Sequence, residues 1–498
     1  MSFVQNFPFF SVILSLLCAV TSFFLDARWA KRLTLFLLCA SIGLQGSVLS
    51  FCYRNHVSYE YLMGHFAAPW GNEIALGILE PLFALLFATV MLCCVLGGMK
   101  RMERDVFPGK QSYYWIMVDL AHVSLLALCY TNDIFTGYVF IEICTIASCA
   151  LLSIRENGRA LIAAVRYMVF ALIGSGLFLI GVIFTYSITG QLLFPQLYET
   201  IASLWEAGTY RFSMTIAIGL MVAGLAIKSG MFPFHFWMPD TYGRATPASS
   251  GILSGVISKG YIFLLIKIIY RVIGIEIFAA SGVQTLLLLF GIAGMVAGSV
   301  SAIFAKRLTT MVAFSSVAQI GYIYMGLGMG TRAALIAVFF QIFSHALTKP
   351  MLFLSASQLA NVSGGRQDFR SLHGAGHRHP VAGFTFTVGA LSMVGIPLFA
   401  GFIPKLYFAT SAFGLGWKTW PVLLALAVST VLNVMYFLYT TILIWLPGEE
   451  GAHVHDRVMP QVGAIIPAAL LAGFNLMVGI HSSALTALFT QGIDLFCQ

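Results

Sequence analysis

The sequence predicts an all-α polytopic membrane protein with about fourteen transmembrane helices. Three observations carry that prediction. First, 59% of the 498 residues are apolar and 9% are charged, against about 25% charged in an ordinary soluble domain. Even a large soluble domain leaves roughly a quarter of its chain's area exposed, so this much apolar surface needs lipid as its solvent. Second, apolar stretches long enough to cross a bilayer, about 20 residues each, recur along the whole chain. Third, Lys and Arg gather in alternate loops. A soluble enzyme, a disordered chain and a disulfide-stapled secreted domain are thereby excluded.

In order, the stretches lie near 8–24, 30–51, 74–97, 115–131, 134–154, 163–188, 212–230, 246–270, 276–302, 308–328, 333–359, 380–415, 420–446 and 461–487. They are continuous rather than alternating, which argues against a β-barrel. The connecting loops are short, so the chain reads as a single transmembrane domain, 1–498. Its parts are three N-terminal helices (1–97), a group of five (115–270), a second group of five (276–446), and a last helix with its tail (461–498). With the N-terminus outside, sixteen Lys and Arg fall in inside loops and five (Arg54, Arg211, Arg271, Arg332, Lys418) outside. That bias places both termini outside.

The net charge of +8 is spread over many loops with no basic run, so no nucleic-acid partner is implied. The nine Cys residues form no CxxC, which leaves no zinc or iron–sulfur frame. His373, His377 and His379, and the pair His453/His455, have spacings that match no zinc site. No P-loop, dinucleotide fingerprint or nucleophile–base arrangement is visible. No metal and no cofactor are expected, and the chain carries no redox site of its own. Met1–Ala30 has no basic start and runs into another apolar stretch, so no cleavable signal peptide is expected.

Six basic residues remain inside apolar segments: Arg166, Lys228, Lys259, Lys267, Lys349 and Lys405. A Lys or Arg at the centre of a lipid-facing helix costs about 2.5–3.5 kcal/mol on insertion scales, so several together must face protein or water. Arg166 and Lys267 lie near span ends, where a long side chain can reach the interface. Glu142 and Glu80 are acidic groups within spans, and Glu80 reads equally as a satisfied interior carboxyl. Asp119 and His122 fall one turn apart, near a mouth of the protein.

Lys228 precedes Pro233 in GLAIKSGMFPFHFWMPD, and Lys405 follows Pro397 and Gly401 in VGIPLFAGFIPKLYF. Proline within a span breaks the helix, and broken backbone at membrane depth survives only where it is buried or lines a cavity. His345 and Lys349 are four residues apart, hence on one helix face. Two broken segments five stretches apart suggest two inverted five-helix repeats, with ion sites at the breaks. The plainer reading of these lysines is a set of structural ion pairs.

The stretch KSGMFPFHFWMPDTYGRATPASSGILSGVISKGYIFLLIK resembles the signature of the antiporter-like subunits of respiratory complex I, shared with Mrp-type cation/proton antiporter subunits and membrane-bound hydrogenase subunits. KRLTTMVAFSSVAQIGYIYMG, FSHALTKPMLFL and GALSMVGIPLFAGFIPKLYF extend the resemblance. It implies two inverted five-helix repeats and a proton relay through Glu142, Lys228, Lys259, His345, Lys349 and Lys405. Glu142 matches the glutamate that pairs with the lysine before the first break, and Lys405 the terminal group of the second. Gln319 stands where the family often carries histidine, and Glu80 where D-type Mrp subunits usually carry aspartate. The expected function is proton translocation within a multi-subunit membrane complex, coupled to redox chemistry or cation exchange in partner subunits. Protons, and sodium as the second candidate, are the expected ions. The expected partners are membrane subunits of an Mrp-type or complex I-like/hydrogenase complex and the lipid bilayer, and the expected location is the bacterial inner membrane. A stand-alone transporter of a small solute and a structural subunit with an inactive relay are the alternatives.

Overall fold

The computed structural model describes residues 3–66, 72–447 and 462–496. His453, His455 and Arg457 lie outside the described residues. Each expected stretch is helical over most of its described length. The chain begins with α1 (Phe7–Phe23), α2 (Ala27–Asn55) and α3 (Leu79–Asp105), then α4 (Gln111–Tyr130), α5 (Ile134–Ser153) and α6 (Gly158–Thr189). A short α7 (Phe194–Glu206) leads to α8 (Arg211–Ser229), α9 (Met238–Arg244), α10 (Pro247–Ile252) and α11 (Ser258–Ile268). After the small α12 (Ile275–Ala280) come α13 (Val283–Ile303), α14 (Leu308–Met329) and α15 (Arg332–Asn361). The one-turn α16 (Ala375–Arg378) precedes α17 (Pro380–Val394), α18 (Phe402–Ala412), α19 (Thr419–Trp445), α20 (Val462–Ile480) and α21 (Ser482–Phe496).

Among the described residues, 12 helical spans are long and apolar enough to cross a membrane. A thirteenth arises if α20 and α21, which meet at a 78° bend, count as one. The 380–415 stretch is split between α17 and α18, of 15 and 11 residues. One departure from helix is local: residues 74–76, expected at the start of the third span, belong to β2 (Glu73–Leu76), antiparallel to β1 (Tyr59–Leu62).

The ends follow from short-range chemistry. Asp133 accepts the Thr136 N–H at 2.6 Å and caps α5, and Thr331 does the same for α15. Gly230 and Gly395, at φ +79° and +88°, end α8 and α17 in the left-handed region that glycine occupies without steric cost. α13 and α14 run almost in backbone contact. A Cβ on Gly321 would lie 2.6 Å from the Met295 nitrogen and 2.7 Å from the Gly291 carbonyl.

Burial sorts the spans. Pro247–Ile273 is buried along 100% of its apolar window and Arg332–Asn361 along 89%, whereas α1 and α2 bury 33%. Lys259, His345 and Lys349 therefore sit on two of the three most enclosed spans; the third is α14, buried along 94%.

Candidate functional site

Lys228 occupies the last turn of α8, immediately before the non-helical residues 230–233 that contain Pro233. Its amine donates to Thr145 Oγ1 at 2.6 Å and stands 4.0 Å from Glu142 Oε1, so one turn of α5 supplies both partners. The lysine side chain is buried, while Glu142 keeps 24% of its side chain exposed. Gly174 on α6 makes room for the lysine stem: a Cβ there would approach Lys228 Cγ to 3.0 Å. The amine also lies 5.5 Å from the centre of the Tyr261 ring, two residues beyond Lys259.

Lys259 follows a π-helical turn, Leu253–Ile257, which separates α10 from α11. Such widened turns recur at functional positions. The Lys259 amine donates to the Ser254 carbonyl and, at 3.1 Å, to Ser258 Oγ. Ser254 Oγ is 3.0 Å from Ser316 Oγ on α14. Nearby, Lys349 on α15 donates to the Val312 carbonyl at 2.9 Å and to Ser315 Oγ, both on α14. The two amines are thus held by neighbouring turns of polar groups. His345, one turn from Lys349, is buried, and neither ring nitrogen has a hydrogen-bond partner among the described residues. Gln319 accepts a 2.6 Å bond from Gln341 on the same helix as His345.

Pro397 and Gly401 lie in the non-helical segment 395–401 between α17 and α18. A Cβ at Gly401 would overlap the Ser392 carbonyl, so only glycine fits. Lys405, in the first turn of α18, turns back and donates to the carbonyls of Val394 at 2.6 Å and Met393 at 3.3 Å, with Thr430 Oγ1 at 3.4 Å. Asn475 on α20 steadies the segment. It accepts from Ala400 N–H at 3.3 Å and donates to Ser392 Oγ at 3.1 Å and Thr348 Oγ1 at 2.8 Å.

Of the six candidate relay residues, Lys228 and Lys405 border the two breaks, Lys259 follows the π turn, His345 and Lys349 share α15, and Glu142 on α5 is in direct reach of Lys228. Other readings change or sharpen. Lys267 does not reach the interface: it is fully buried and donates to the Cys129 and Thr131 carbonyls at 2.8 and 2.5 Å. These are the unpaired carbonyls at the end of α4, and satisfying them outweighs snorkelling. Glu80 is an interior carboxyl, 3.0 Å from Arg271 Nη1 and accepting the Gly77 N–H at 2.7 Å. Asp119 and His122 are fully buried between α1, α2 and α4 rather than at a mouth. Arg166 does extend outward and pairs with Asp240 at 2.7 Å. His377 and His379 hold backbone, through the Trp445 carbonyl and the Ala382 N–H.

Sequence reasoning missed Thr145, Ser254, Ser315 and Asn475. Their signal was a small polar side chain in mid-span, which helices also use for their own carbonyls.

A profile of the family described as NADH:quinone oxidoreductase/Mrp antiporter, TM matches residues 131–433. The chain is 30% identical over 495 residues to the N subunit of the NADH-quinone oxidoreductase of Desulforudis audaxviator, covering 95% of this chain and 94% of that one. It is 26% identical to the D-type subunit of the Na(+)/H(+) antiporter of Alkalihalophilus pseudofirmus, covering 89% and 87%. Its fold matches a chain of the membrane-bound sulfane sulfur reductase, an archaeal respiratory membrane complex, with a TM-score of 0.87 at 24% identity over 99% and 97% of the two chains. A chain of the Mrp complex from Dietzia sp. matches with a TM-score of 0.84 at 21% identity over the full length of both.

Proposed function

Because this chain belongs to the NADH:quinone oxidoreductase/Mrp antiporter transmembrane family, we propose that it is a proton-translocating, antiporter-like subunit of a multi-subunit membrane complex. The observation that carries the reading is the buried Lys228 amine facing Glu142 at 4.0 Å beside a broken helix. A dry lysine favours its neutral form, and a nearby carboxylate favours the charged form. Changing the charge or position of Glu142 therefore loads or unloads Lys228. The proton then passes by way of Lys259, His345 and Lys349 to Lys405, with water filling the gaps.

Several features support this path. Lys259 binds a carbonyl and a hydroxyl of its own helix and Lys349 those of α14, so among the described residues no carboxylate fixes their charge. Neither ring nitrogen of His345 is engaged among the described residues, which leaves the ring able to accept or pass a proton. The breaks at Pro233 and at Pro397 and Gly401 lie next to the first and last lysines, where backbone can be hydrated. Two breaks five stretches apart support inverted repeats over 115–270 and 276–446. The bias of Lys and Arg supports both termini outside, in the bacterial inner membrane.

Driving energy arrives from partner subunits, through redox chemistry or an opposing cation gradient. Relatives named as subunits of NADH-quinone oxidoreductase and of a Na(+)/H(+) antiporter support either coupling. The test is reconstitution of the intact complex into vesicles with a pH-sensitive dye. Glu142→Gln and Lys228→Ala are each expected to abolish coupled proton movement while the complex still assembles. Full transport by both variants would overturn the path.

A further inference from the structure

The last turns of α3 carry basic side chains that the lysine path does not use. Lys100 and Arg104 lie one turn apart and share a helix face. Neither makes an ion pair among the described residues, because the acidic groups of this turn are already engaged. Glu103 pairs with Lys31 at 2.9 Å, and Asp105 with Arg101 at 3.1 Å and Arg155 at 3.3 Å. Arg101 also donates to Asn361 Oδ1 on α15 at 2.7 Å.

These side chains line a cavity of about 130 Å³ between α3, the end of α15 and the start of α20. That is far above the roughly 10–15 Å³ that admits one water. Lys100, Arg101 and Arg104 supply its charge, the Gln358 and Asn361 amides add neutral donors, and no carboxylate lines it. Ammonium and guanidinium groups that converge in this way suit a phosphate oxyanion. The remaining wall is apolar, with Leu96 and Met99 on α3. It continues towards the membrane middle as a half-buried stripe of α3, through Leu92 to Leu85. Thr89 within the stripe folds its hydroxyl back onto the Leu85 carbonyl at 2.8 Å, so it adds no free polar group. From Met99 to Leu85 the stripe runs about 21 Å at 1.5 Å per residue, enough to follow the roughly 15 Å of hydrocarbon in one leaflet. Basic side chains at a helix end also answer the helix dipole, but that role needs neither a cavity beside them nor an apolar stripe leading to it. A charged headgroup above an acyl chain fits both, and basic pockets between transmembrane helices are suited to anionic headgroups.

We propose that this cavity binds the headgroup phosphate of an anionic phospholipid, whose acyl chain lies along Leu96, Leu92 and Leu85. The site goes beyond the proposed function, and it can be read without transport or partners. The purified full chain in detergent micelles is titrated with phosphatidylglycerol carrying a pyrene-labelled acyl chain, and binding is read by fluorescence anisotropy. Saturable binding is expected, about tenfold or more tighter than that of phosphatidylcholine with the same label. Lys100→Gln and Arg104→Gln are each expected to raise the half-saturating lipid about fivefold, the share of one cation near a lipid surface. Both side chains are exposed, so neither variant endangers folding. Lys306→Gln, which removes the same charge from the turn between α13 and α14, is expected to bind as the unaltered chain does, and so is Glu142→Gln. Excess inorganic phosphate is expected to displace no more lipid than chloride of equal ionic strength. Equal binding of the two lipids, an equal loss in Lys306→Gln, or unchanged binding in both Lys100→Gln and Arg104→Gln would overturn the site. Full displacement by phosphate would make the occupant a free anion and overturn the lipid. Loss of transport in Glu142→Gln bears only on the lysine path, so the two readings fail separately.

Discussion

Lys405 lies beyond the break at 395–401, yet its amine returns across it to the Val394 carbonyl, 2.6 Å away. Lys228 stands at the matching end of α8, in the last turn before the other break. Lys405 thus brings its amine to the carbonyl terminus of α17, where the helix dipole favours positive charge, whereas the Lys228 amine reaches across to Thr145 and Glu142 on α5. Lys405→Met keeps most of the bulk and removes the donor. It is expected to cost roughly 1–3 kcal/mol through the orphaned carbonyls and to block proton transport in vesicles. Transport that survives alongside a lowered melting temperature would reduce Lys405 to a cap.

Asn475 carries no titratable proton but ties the second break to Ser392 and to Thr348, the neighbour of Lys349. Asn475→Ala is expected to speed amide hydrogen exchange in 395–401 and to slow transport about tenfold, the equivalent of one lost buried hydrogen bond. Exchange that is unchanged there would show that the break holds its own shape.

His345 makes no hydrogen bond through its ring among the described residues. His345→Gln is therefore expected to leave thermal stability within about 1 kcal/mol while transport falls about 100-fold, the scale of a lost proton-transfer group. A large drop in melting temperature with transport retained would mark it as a packing residue.

Lys267 resembles the relay lysines in sequence and differs in surroundings, since its amine is committed to two carbonyls at the end of α4. Lys267→Met is expected to destabilise by roughly 1–3 kcal/mol per orphaned carbonyl and to leave transport per folded molecule unchanged. Abolished transport in well-folded protein would move Lys267 into the path.

Glu80→Gln removes one member of the buried pair with Arg271. Leaving the guanidinium uncompensated is expected to cost roughly 3–5 kcal/mol. Replacing both residues by Met is expected to recover most of that loss, as measured by thermal unfolding in detergent. Equal losses in the single and double variants would mean that the pair contributes little beyond packing.

The spans were legible because lipid permits few charges, so each polar residue stands out against its stretch. Both breaks were legible from Pro233, Pro397 and Gly401 for the same reason. What was not legible depends on contacts between distant segments. Lys267 looked free to reach the interface because its acceptors, Cys129 and Thr131, lie on another helix and just past its end. Asp119 looked peripheral because its place near a span end says nothing of α1 and α2 folding over it. The π turn at Leu253–Ile257 has no composition of its own. The 78° bend between α20 and α21 falls at His481, with no proline to announce it.

Of the four lysines assigned to the path, only Lys228 faces a carboxylate among the described residues; Lys259, Lys349 and Lys405 are held by carbonyls and hydroxyls. Dipoles steady a charge without cancelling it, so a proton on one amine repels a proton on the next through a poorly screening interior. On the proposed path, occupancy along the row is then self-limiting: carriers advance in turn, and each vacancy invites the next arrival. A row built this way behaves as a queue, in which the lone carboxylate at one end governs how often a new carrier is admitted.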